Sequence, residues 1–504
     1  MSSPEFDNHL RKAVDCVSRR SCCNRVARLE DSRNGMAETQ EIALIAHLMR
    51  RAGFGASRDE LERLVEQGYE ETVEQLVDPP AHIPRADLHL LFRYMPSLET
   101  GGPVTVPGAA NWLYHLVNTQ RPLEEKMALF WHGIFAVGNS KVDNDNHLIA
   151  MVDMFRDHGT GNYRDLLIML AQSPAMIYWL DNHENHKRSP NENWGRELLE
   201  LFSMGVGNYT EKDVFECARA FTGWTLGPKI PRVPNHRFFF QFEFRPEEHD
   251  FGEKEFLGRT GNFDGLDIID IILEEDACPR FIARHLYTFF VADEPQVPAW
   301  DIEPPRDPEA IDYLAGVLKD SNFEIKPVLR ALFNSDFFKE ATFQKVKSPV
   351  ETVVSTLRLT EDMFGPQPAL IELGQESAHM GQSLHNPPSV EGWQTGRDWI
   401  NSGAVVGRIN FVADRVSNTE LPGIQKIVQR VAASNGTQMS PSEMVDHCLD
   451  LFGPLDVTEA TRLELIEHAS EQGDLSWSED YDGSSERVGE MLALIAATTE
   501  YQFG

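Results

Sequence analysis

The 504-residue chain is longer than one hydrophobic core usually supports, which predicts two or three structural units or one core with large additions. Its 46 Lys and Arg face 79 Asp and Glu, and the net charge of −33 repels nucleic-acid backbones and anionic membrane surfaces. We therefore expect no nucleic-acid partner. No run of about eighteen apolar residues predicts a membrane-spanning segment. The six cysteines do not form a disulfide framework, and most are interpreted as small buried residues.

Residues 1–36 are rich in arginine, serine and asparagine and lack a convincing helical repeat of apolar residues. No continuous apolar stretch follows a basic start, so the segment does not have the pattern of an export signal. We interpret it as a disordered tail or as the product of a start assigned too early. Without an export signal, the default expectation is a cytoplasmic protein.

Amphipathic helices follow from Ile42, where apolar residues recur at helical spacing up to Gly53. Ser57 and Glu60 form a predicted capping box that starts the second helix. The Gly- and Pro-rich stretch 99–108 predicts a loop. Further helices are predicted at 71–77, 112–118, 123–135, 266–273, 280–291, 308–318, 325–333, 350–364, 444–451 and 488–495.

A short β-structure interrupts the predicted helices. The aromatic run Phe238–Phe244 and the stretch Glu255–Leu257 favour strands, which predicts one β-hairpin insertion at about 238–258. The expected fold is therefore mainly α, with a multi-helix core domain over residues 40–415 that carries this hairpin. An acidic helical C-terminal subdomain is expected over residues 416–504. The Pro-, Gly- and Trp-rich segment 385–399 predicts an ordered loop.

A polar-rich helical hairpin is predicted between Asp181 and Trp224. Ser189, Pro190 and Glu192 indicate a helix start, with a Ser N-cap, Pro at the first helical position and Glu three residues after the cap. A helix that continues to about residue 204 would place its polar residues on one face. These residues are Glu192, Asn193, Arg196, Glu197 and Glu200.

Two interpretations of this polar face stay open. In the first, Glu192, Arg196 and Glu200 form a charge ladder along a solvated helix surface. In the second, the face lines a polar cavity, where carboxylates serve as general acid and base or bind a hard divalent cation. Spacing alone does not separate the two interpretations.

A second helix is predicted to start at Thr210, with Asp213 in the capping-box position, and to end at Gly223. The connection over residues 205–209 is short, so the two helices should pack as a hairpin. We expect this packing to bring Arg219 towards the acids of the first helix.

Several other polar residues are weaker candidates. His183 and His186 have the (i, i+3) spacing of a metal-binding pair, for which a divalent metal ion would be the cofactor. His132 lies in an apolar helical stretch, where a histidine is typically a hydrogen-bonded core residue. His249 and Asp250 form a polar pair that turn formation alone also explains. The remaining metal-ligand candidates are Glu192, His249 and Asp250.

Short motifs are distributed along most of the chain. In the first third they are His47-Leu48, Arg51-Ala52-Gly53-Phe54-Gly55, Arg121-Pro122-Leu123, Glu125-Lys126-Met127 and Phe130-Trp131-His132-Gly133. In the centre they are Leu180-Asp181-Asn182, Pro190-Asn191-Glu192-Asn193, Arg196-Glu197-Leu198, Glu200-Leu201-Phe202, Gly205-Val206-Gly207, Tyr209-Thr210-Glu211 and Arg219-Ala220-Phe221-Thr222-Gly223-Trp224. Towards the end they are His249-Asp250, Pro387-Pro388-Ser389-Val390, Gly392-Trp393 and Trp399-Ile400-Asn401-Ser402. In number and order, these motifs resemble those of the large bacterial family called domain of unknown function 1800.

The resemblance covers the chain from about Ile42 onward and departs from the family pattern at Trp194-Gly195, His183 and His186. Because the family has no assigned activity, the resemblance implies no mechanism. Members of the family often carry export signals and are often encoded beside a sulfatase-like family. Membership therefore implies an envelope or extracellular role and a sulfatase-like partner protein.

Two functional hypotheses follow. The first is a hydrolase-like enzyme in which Glu192, Glu197 or Glu200 acts as a base or metal ligand. The assisting residues would be His132, Asp181, Arg196, Arg219 and His249. The second hypothesis is a non-catalytic scaffold or glycan-binding module of an envelope assembly, which would use exposed tryptophans and the acidic surface for its contacts.

Overall fold

The computed structural model describes residues 39–84, 105–142, 144–228, 240–295, 304–434 and 437–504. This part of the chain is mainly helical and contains small two-stranded antiparallel sheets, which confirms the expected fold class. The expectations for residues 1–36, with their three cysteines, lie outside the described residues. Within the described ranges, none of the helices has the length and apolar character needed to cross a membrane.

The helices of the first third form where apolar periodicity predicts them. Ser57 caps the second helix by accepting a hydrogen bond from the Glu60 N–H at 3.4 Å, but the Glu60 side chain does not accept the Ser57 N–H, so half of the predicted capping box forms. One helix already begins at Thr105, inside the stretch that was expected to be a loop. The helices of this part are 39–51, Arg58–Gln67, Tyr69–Val77, Thr105–Asn118, Pro122–Ile134, Asn139–Val142, Asp145–His158, Tyr163–Ala171 and Pro174–Trp179.

The β-structure lies where it was expected, but its pairing differs. Phe240–Phe244 pairs with Trp224–Pro228, which directly follows the central motif. Lys254–Phe256 pairs instead with Arg259–Gly261, because Leu257 and Gly258 form a tight turn with positive φ. The two predicted strands therefore belong to two ribbons. The start of the first predicted strand, at residues 238 and 239, lies outside the described residues.

The remaining helices pack in one continuous core. The Ser402–Val416 helix contacts both Pro349–Thr360 and Tyr481–Ala496, so packing continues across residue 416. The division into two domains there stays a prediction. The other helices of this part are Gly265–Glu274, Ala277–Phe290, Pro308–Asp320, Ile325–Asn334, Asp336–Lys339, Leu370–His379, Pro422–Ser434, Pro441–Leu451 and Glu459–Ser470. A short pair of strands, Gln438–Met439 and Leu475–Ser476, lies among the last helices.

The core is aromatic at its centre and contains buried charges. Trp131 is fully buried and stacks on Phe135, with ring centroids 5.0 Å apart. Cys217, Cys278 and Cys448 are buried, as the composition predicted. The buried charged residues include Arg51, Lys126 and Arg284. Because burial of a charged group is costly unless the group is paired, such residues indicate polar sites inside the fold.

Candidate functional site

The central motif forms the predicted helical hairpin. Its first arm consists of the α-helix Asn193–Glu197 and the π-helix Leu198–Ser203, and its second arm is the α-helix Glu211–Ala220. The Thr210 hydroxyl accepts the Asp213 N–H, and the Asp213 carboxylate accepts the Thr210 N–H at 2.9 Å. The predicted capping box is thereby confirmed.

Gly195 allows the two arms to approach closely. A β-carbon at this position would lie 3.0 Å from the Val214 carbonyl oxygen and 3.1 Å from the Ala218 nitrogen. The neighbouring Trp194 is buried against Phe221, with ring centroids 5.6 Å apart. Close packing of the hairpin therefore explains the Trp-Gly pair at this position.

The predicted helix start at Ser189 is wrong. Ser189 forms an isolated antiparallel bridge with His186 and lies outside the helix. The helix begins at Asn193, whose N–H donates to the side-chain carbonyl of Asn191 at 3.0 Å. Short polar side chains compete in this way for the first free N–H groups of a helix. Glu192 consequently forms no capping box and is free to pair elsewhere.

The last turn of the first arm is a π-helix rather than the α-helix that was expected. The Ser203 hydroxyl donates to the Leu198 carbonyl at 2.5 Å, and the Met204 N–H donates to the Leu199 carbonyl at 3.1 Å. Insertions of this kind are frequent at functional sites. Here the inserted turn follows Glu197 directly and includes Leu201, which lines the larger cavity described below.

Most of the predicted polar face is occupied by internal pairs. Arg196 binds Glu211 at 2.7 Å and Glu192 at 3.3 Å. Glu200 accepts the Tyr209 hydroxyl at 2.9 Å. Only the Glu192–Arg196 step of the predicted charge ladder is therefore present, because Arg196 turns to Glu211 of the second arm and Glu200 binds Tyr209 instead.

Arg219 and Asp181 also have partners of their own. Arg219 binds Asp250 at 2.8 Å and Glu216 at 2.6 Å, so the expected approach of Arg219 to the acids of the first helix is wrong. The Arg219 guanidinium holds the pKa of Asp250 below its usual range. Asp181 binds Lys141 at 2.8 Å. Neither residue is brought to Glu197 by these contacts.

The predicted histidine pair is separated by different contacts. His183 stacks on Tyr178, with ring centroids 5.3 Å apart, whereas the His186 Nδ1–H donates to Glu248 at 3.1 Å. His249 is buried, and its Nδ1–H donates to a main-chain carbonyl at 2.8 Å. Within the described ranges, no group of three or more His, Cys, Asp or Glu side chains is placed to bind a metal ion.

Glu197 is the exception on the polar face. In the described part of the chain its half-buried carboxylate has neither a hydrogen bond nor an ion pair. Burial raises the pKa of Glu197 to about 7, and the charges of Glu200 and Glu391 add to this rise against the opposing charge of Arg196. A carboxyl group with this pKa exchanges a proton near neutral pH, as a general acid or base requires.

Glu391, whose charge contributes to the raised pKa of Glu197, lines a cavity of about 470 Å³, while Glu197 itself is not a residue of its wall. The cavity lies between the end of the Pro122–Ile134 helix, the Ala277–Phe290 helix and the 388–399 segment. Its aromatic wall is formed by Phe130, Phe281, Phe289, Trp393 and Trp399. Its polar groups include His285, Lys345, Glu351, Gln382, Glu391 and Asp398. An apolar wall with a few convergent polar groups is typical of a small-molecule site.

His285 is a polar group of the cavity with a free nitrogen. Its Nε2 is buried and has no hydrogen-bond partner in the described part of the chain. Burial and the neighbouring Arg284 lower the pKa of His285 to about 3. The imidazole is therefore neutral near pH 7, and a ligand in the cavity can hydrogen bond to it.

Glu351 is fixed at the inner end of the cavity. It binds Lys126 and, at 3.3 Å, Arg51, and it accepts the Ser348 N–H at 2.7 Å. Burial alone would raise the pKa of Glu351, but Lys126 and Arg51 hold it well below its usual range. This carboxylate is consequently a permanent negative charge and a structural element of the site.

His132 lies behind the cavity wall. Its ring is 5.2 Å from Trp393, 5.5 Å from Trp112 and 6.0 Å from His385. Both ring nitrogens are buried without a partner among the described residues, and burial lowers the pKa of His132. His132 is thus a core residue, as expected, but without the expected hydrogen bond. The His132 ring packs edge-on against Trp393, on the side of Trp393 away from the cavity.

Gly392 anchors the segment that carries Glu391 and Trp393. Its φ is +89°, and a β-carbon at this position would lie 2.0 Å from the Gly133 carbonyl oxygen. Only glycine combines this backbone conformation with so close an approach. The motifs Phe130–Gly133 and Gly392-Trp393 are in contact at this point. The contact fixes the backbone that carries the Glu391 carboxylate and the Trp393 ring.

The sequence did not single out His285, Glu391 or Asp398. Glu391 lies between two of the family motifs, Pro387–Val390 and Gly392-Trp393, and this position was the available signal. His285 lies in an apolar helix and carried no comparable signal. These residues become recognisable only when distant segments meet around the cavity.

The fold and the site define a mainly helical protein with a partly open cavity, one side of which is a glycine-anchored segment. The chain belongs to the family described as Protein of unknown function (DUF1800), whose family model matches residues 47–503. The match confirms the family resemblance read from the motifs. No curated protein and no solved structure matches the chain.

Proposed function

We propose that the protein is a hydrolase-like enzyme whose reaction centre is the cavity next to Glu197 and Glu391. The observation that supports this most strongly is the free, half-buried carboxyl group of Glu197, whose pKa is raised to about 7 beside the acidic residue Glu391 of the cavity wall. On the same face, ion pairs occupy Glu192 and Arg196 and a hydrogen bond from Tyr209 occupies Glu200, whereas Glu197 has no such contact among the described residues.

The chemistry requires two carboxyl groups with different proton affinities. Glu197 keeps its proton up to about neutral pH and is assigned the role of general acid, while the exposed Glu391 is assigned that of the partner base. Tyr209 holds Glu200 in place, and the charge of Glu200 helps to raise the pKa of Glu197. His285 is available to hydrogen bond to the substrate.

The test is a screen of aryl glycosides, esters and phosphates with wild-type protein and three variants. Glu197→Gln and Glu391→Gln should each lower kcat/KM at least about 100-fold, because each removes one proton-transfer group. Glu255→Gln is the matched control, since Glu255 is exposed and pairs only with Lys212 among the described residues. Equal activity of Glu197→Gln and wild type on every substrate that is turned over would contradict the proposal.

The second candidate is a non-catalytic scaffold or glycan-binding protein of an envelope assembly, with a sulfatase-like partner protein. The internal pairing of Arg196, Glu200 and Arg219 favours it. Tryptophans in the described residues are buried or half-buried, so the surface contacts expected of exposed tryptophans are not available. A glycan would instead contact Trp393 and Trp399 in the cavity. Glycan binding without turnover of any screened substrate would favour this candidate.

A further inference from the structure

A second cavity, of about 210 Å³, lies on the other side of Glu351. Among the described residues, Glu351 is the only one that lines both cavities. Arg50 and Arg51 contribute to the wall of the second cavity, and they lie in the N-terminal helix and its Arg-Ala-Gly-Phe-Gly motif. The proposed hydrolase function does not use this cavity.

Two cations of this cavity lack an acidic partner. The Arg50 Nη1–H donates to the Gly453 carbonyl at 2.6 Å, and its Nε is buried without a partner in the described part of the chain. Lys347 donates to the Tyr501 carbonyl at 2.8 Å. Neither residue forms an ion pair within the described ranges. Each cation also lies over an aromatic ring, Arg50 over Phe343 at 4.6 Å and Lys347 over Tyr501 at 3.9 Å. Carbonyl and ring contacts are therefore what the described residues offer these two charges, and none of these contacts is with a carboxylate.

The neighbouring charges increase this imbalance. Within the described ranges, three carboxylates line the cavity, and each is bound to another cation: Glu351 to Arg51 and Lys126, Glu60 to Arg63, and Glu361 to Lys426. Burial and Arg51 lower the pKa of Arg50 to about 9, and burial together with Arg50 lowers the pKa of Lys347. Removing two cations from water without a counter-charge is expensive, so the arrangement gains stability when an anion enters the cavity.

The rest of the wall indicates which kind of anion fits. Phe54, Leu61 and Leu359 present apolar surface to the cavity. Apolar cavities of roughly 150 Å³ accept a benzene-sized molecule. A carboxylate carried by a small apolar body would satisfy both the charged and the apolar parts of the wall. A phosphate ion would lose its hydration against the apolar part without compensation.

We propose that this second cavity binds a small organic carboxylate, with the carboxylate group between Arg50 and Lys347 and the apolar body against Phe54, Leu61 and Leu359. The contacts to the two cations are charge-assisted hydrogen bonds, which are stronger than neutral ones. Apart from the shared wall residue Glu351, the site uses none of the residues assigned to catalysis, so the two proposals stand or fall separately.

The test measures binding of benzoate, hexanoate and inorganic phosphate by isothermal titration at constant ionic strength. Wild-type protein should bind benzoate or hexanoate, and Lys347→Met and Arg50→Met should each raise the Kd at least about tenfold. The matched control is Lys319→Met, because Lys319 is an exposed lysine paired with Asp276. The Kd of Lys319→Met for benzoate and hexanoate should equal that of wild type.

Stability gives a second measurement on the same variants. Lys347→Met should raise or preserve the Tm of the ligand-free protein, because it replaces an unpaired buried charge by an apolar side chain of similar length. If one variant fails to fold, as shown by circular dichroism, the other still provides the comparison. Failure of wild type to bind any of the three anions, binding of phosphate alone, or equal Kd values in all variants would overturn the proposal.

Gly504 also contributes to the wall of this cavity. The benzoate titration is therefore repeated with a chain extended beyond Gly504 by a Gly-Ser-Gly tail. Equal Kd values in both chains support a free ligand. Binding of benzoate by the extended chain only would overturn the proposal, because a carboxylate at Gly504 would then fill the site.

Discussion

The helical hairpin and the larger cavity use polar residues in opposite ways. In the hairpin, Arg196 and Arg219 are each bound by two carboxylates at the molecular surface or close to it. At the cavity, the His285 Nε2 has no partner in the described part of the chain, and on the hairpin the same holds for the carboxyl of Glu197, whose pKa responds to the cavity residue Glu391. A dense polar motif therefore does not locate a site by itself. Unsatisfied groups beside a cavity are the more informative signal.

The largest expected effect comes from the glycine that holds the cavity segment. Gly392→Ala should destabilise the protein by about 3 kcal/mol or more, because the β-carbon would overlap the Gly133 carbonyl at a positive φ. Urea unfolding measures this loss. Gly316→Ala is the control, since a β-carbon added at this helical position would have no atom within 4 Å. Gly316→Ala should raise the free energy of unfolding by about 0.5–1 kcal/mol, because alanine has a higher helix propensity than glycine. Similar effects of both substitutions would show that the cavity segment is not held at Gly392.

Removal of a hairpin arginine should have a smaller effect. Arg219→Met leaves Glu216 and Asp250 facing each other without their shared cation and should cost about 1–2 kcal/mol. Arg196→Met should cost less than about 1 kcal/mol, because its partner Glu211 is exposed. Urea unfolding compares the two variants. If the hairpin arginines are structural, Arg219→Met and Arg196→Met should both bind ligands of the larger cavity with wild-type affinity. A selective loss of that affinity in Arg219→Met would contradict the distinction between the hairpin and the cavity.

An effect of about the same size as that of Arg196→Met is a pH dependence of stability that belongs to Glu197. Its folded-state pKa of about 7 lies above its ordinary value of 4.5, so the folded state binds the proton more tightly than the unfolded state. The protonated Glu197 stabilises the folded state fully below about pH 4.5, and this contribution is lost as the pH rises through about 7. After solvent screening, the loss should lower the free energy of unfolding by about 1 kcal/mol.

Glu197→Gln should remove this contribution. Urea unfolding at pH 5 and pH 8 should show a smaller loss of stability with rising pH in the variant than in wild type, whereas Glu255→Gln should behave as wild type. Identical pH profiles for wild type and Glu197→Gln would show that the Glu197 carboxyl is not perturbed, and the main support for the proposed reaction centre would be lost.

Local signals in the sequence predicted the helices and some of their caps, because apolar periodicity and capping chemistry act within a few residues. Thr210 forms the expected capping box with Asp213, whereas Ser57 caps its helix without the expected return bond from Glu60. Ser189 does not, because Asn191 supplies the same hydrogen bond two residues closer to the helix. The short strands had correct positions but incorrect pairing, since pairing depends on turn geometry at Leu257 and Gly258.

The site was predictable only in part. Glu197 was named from the polar face of its helix, whereas His285 and Glu391 come from segments that approach it through tertiary packing. The π-turn after Glu197 also depends on packing, because the Ser203 side chain and the neighbouring helices stabilise a hydrogen-bond pattern that α-helical periodicity does not encode. Long-range contacts of this kind leave no regular spacing in the chain.

The contact between Gly133 and Gly392 has a consequence for the order of folding. The two glycines are separated by about 260 residues, and contacts across such distances form late because the intervening chain must first be ordered. During synthesis, Phe130 and Gly133 exist long before the 388–399 segment, which forms the opposite side of the cavity, can pack beside them. The nascent chain therefore exposes an aromatic surface until its last quarter has been made, and it should depend on chaperones during that interval.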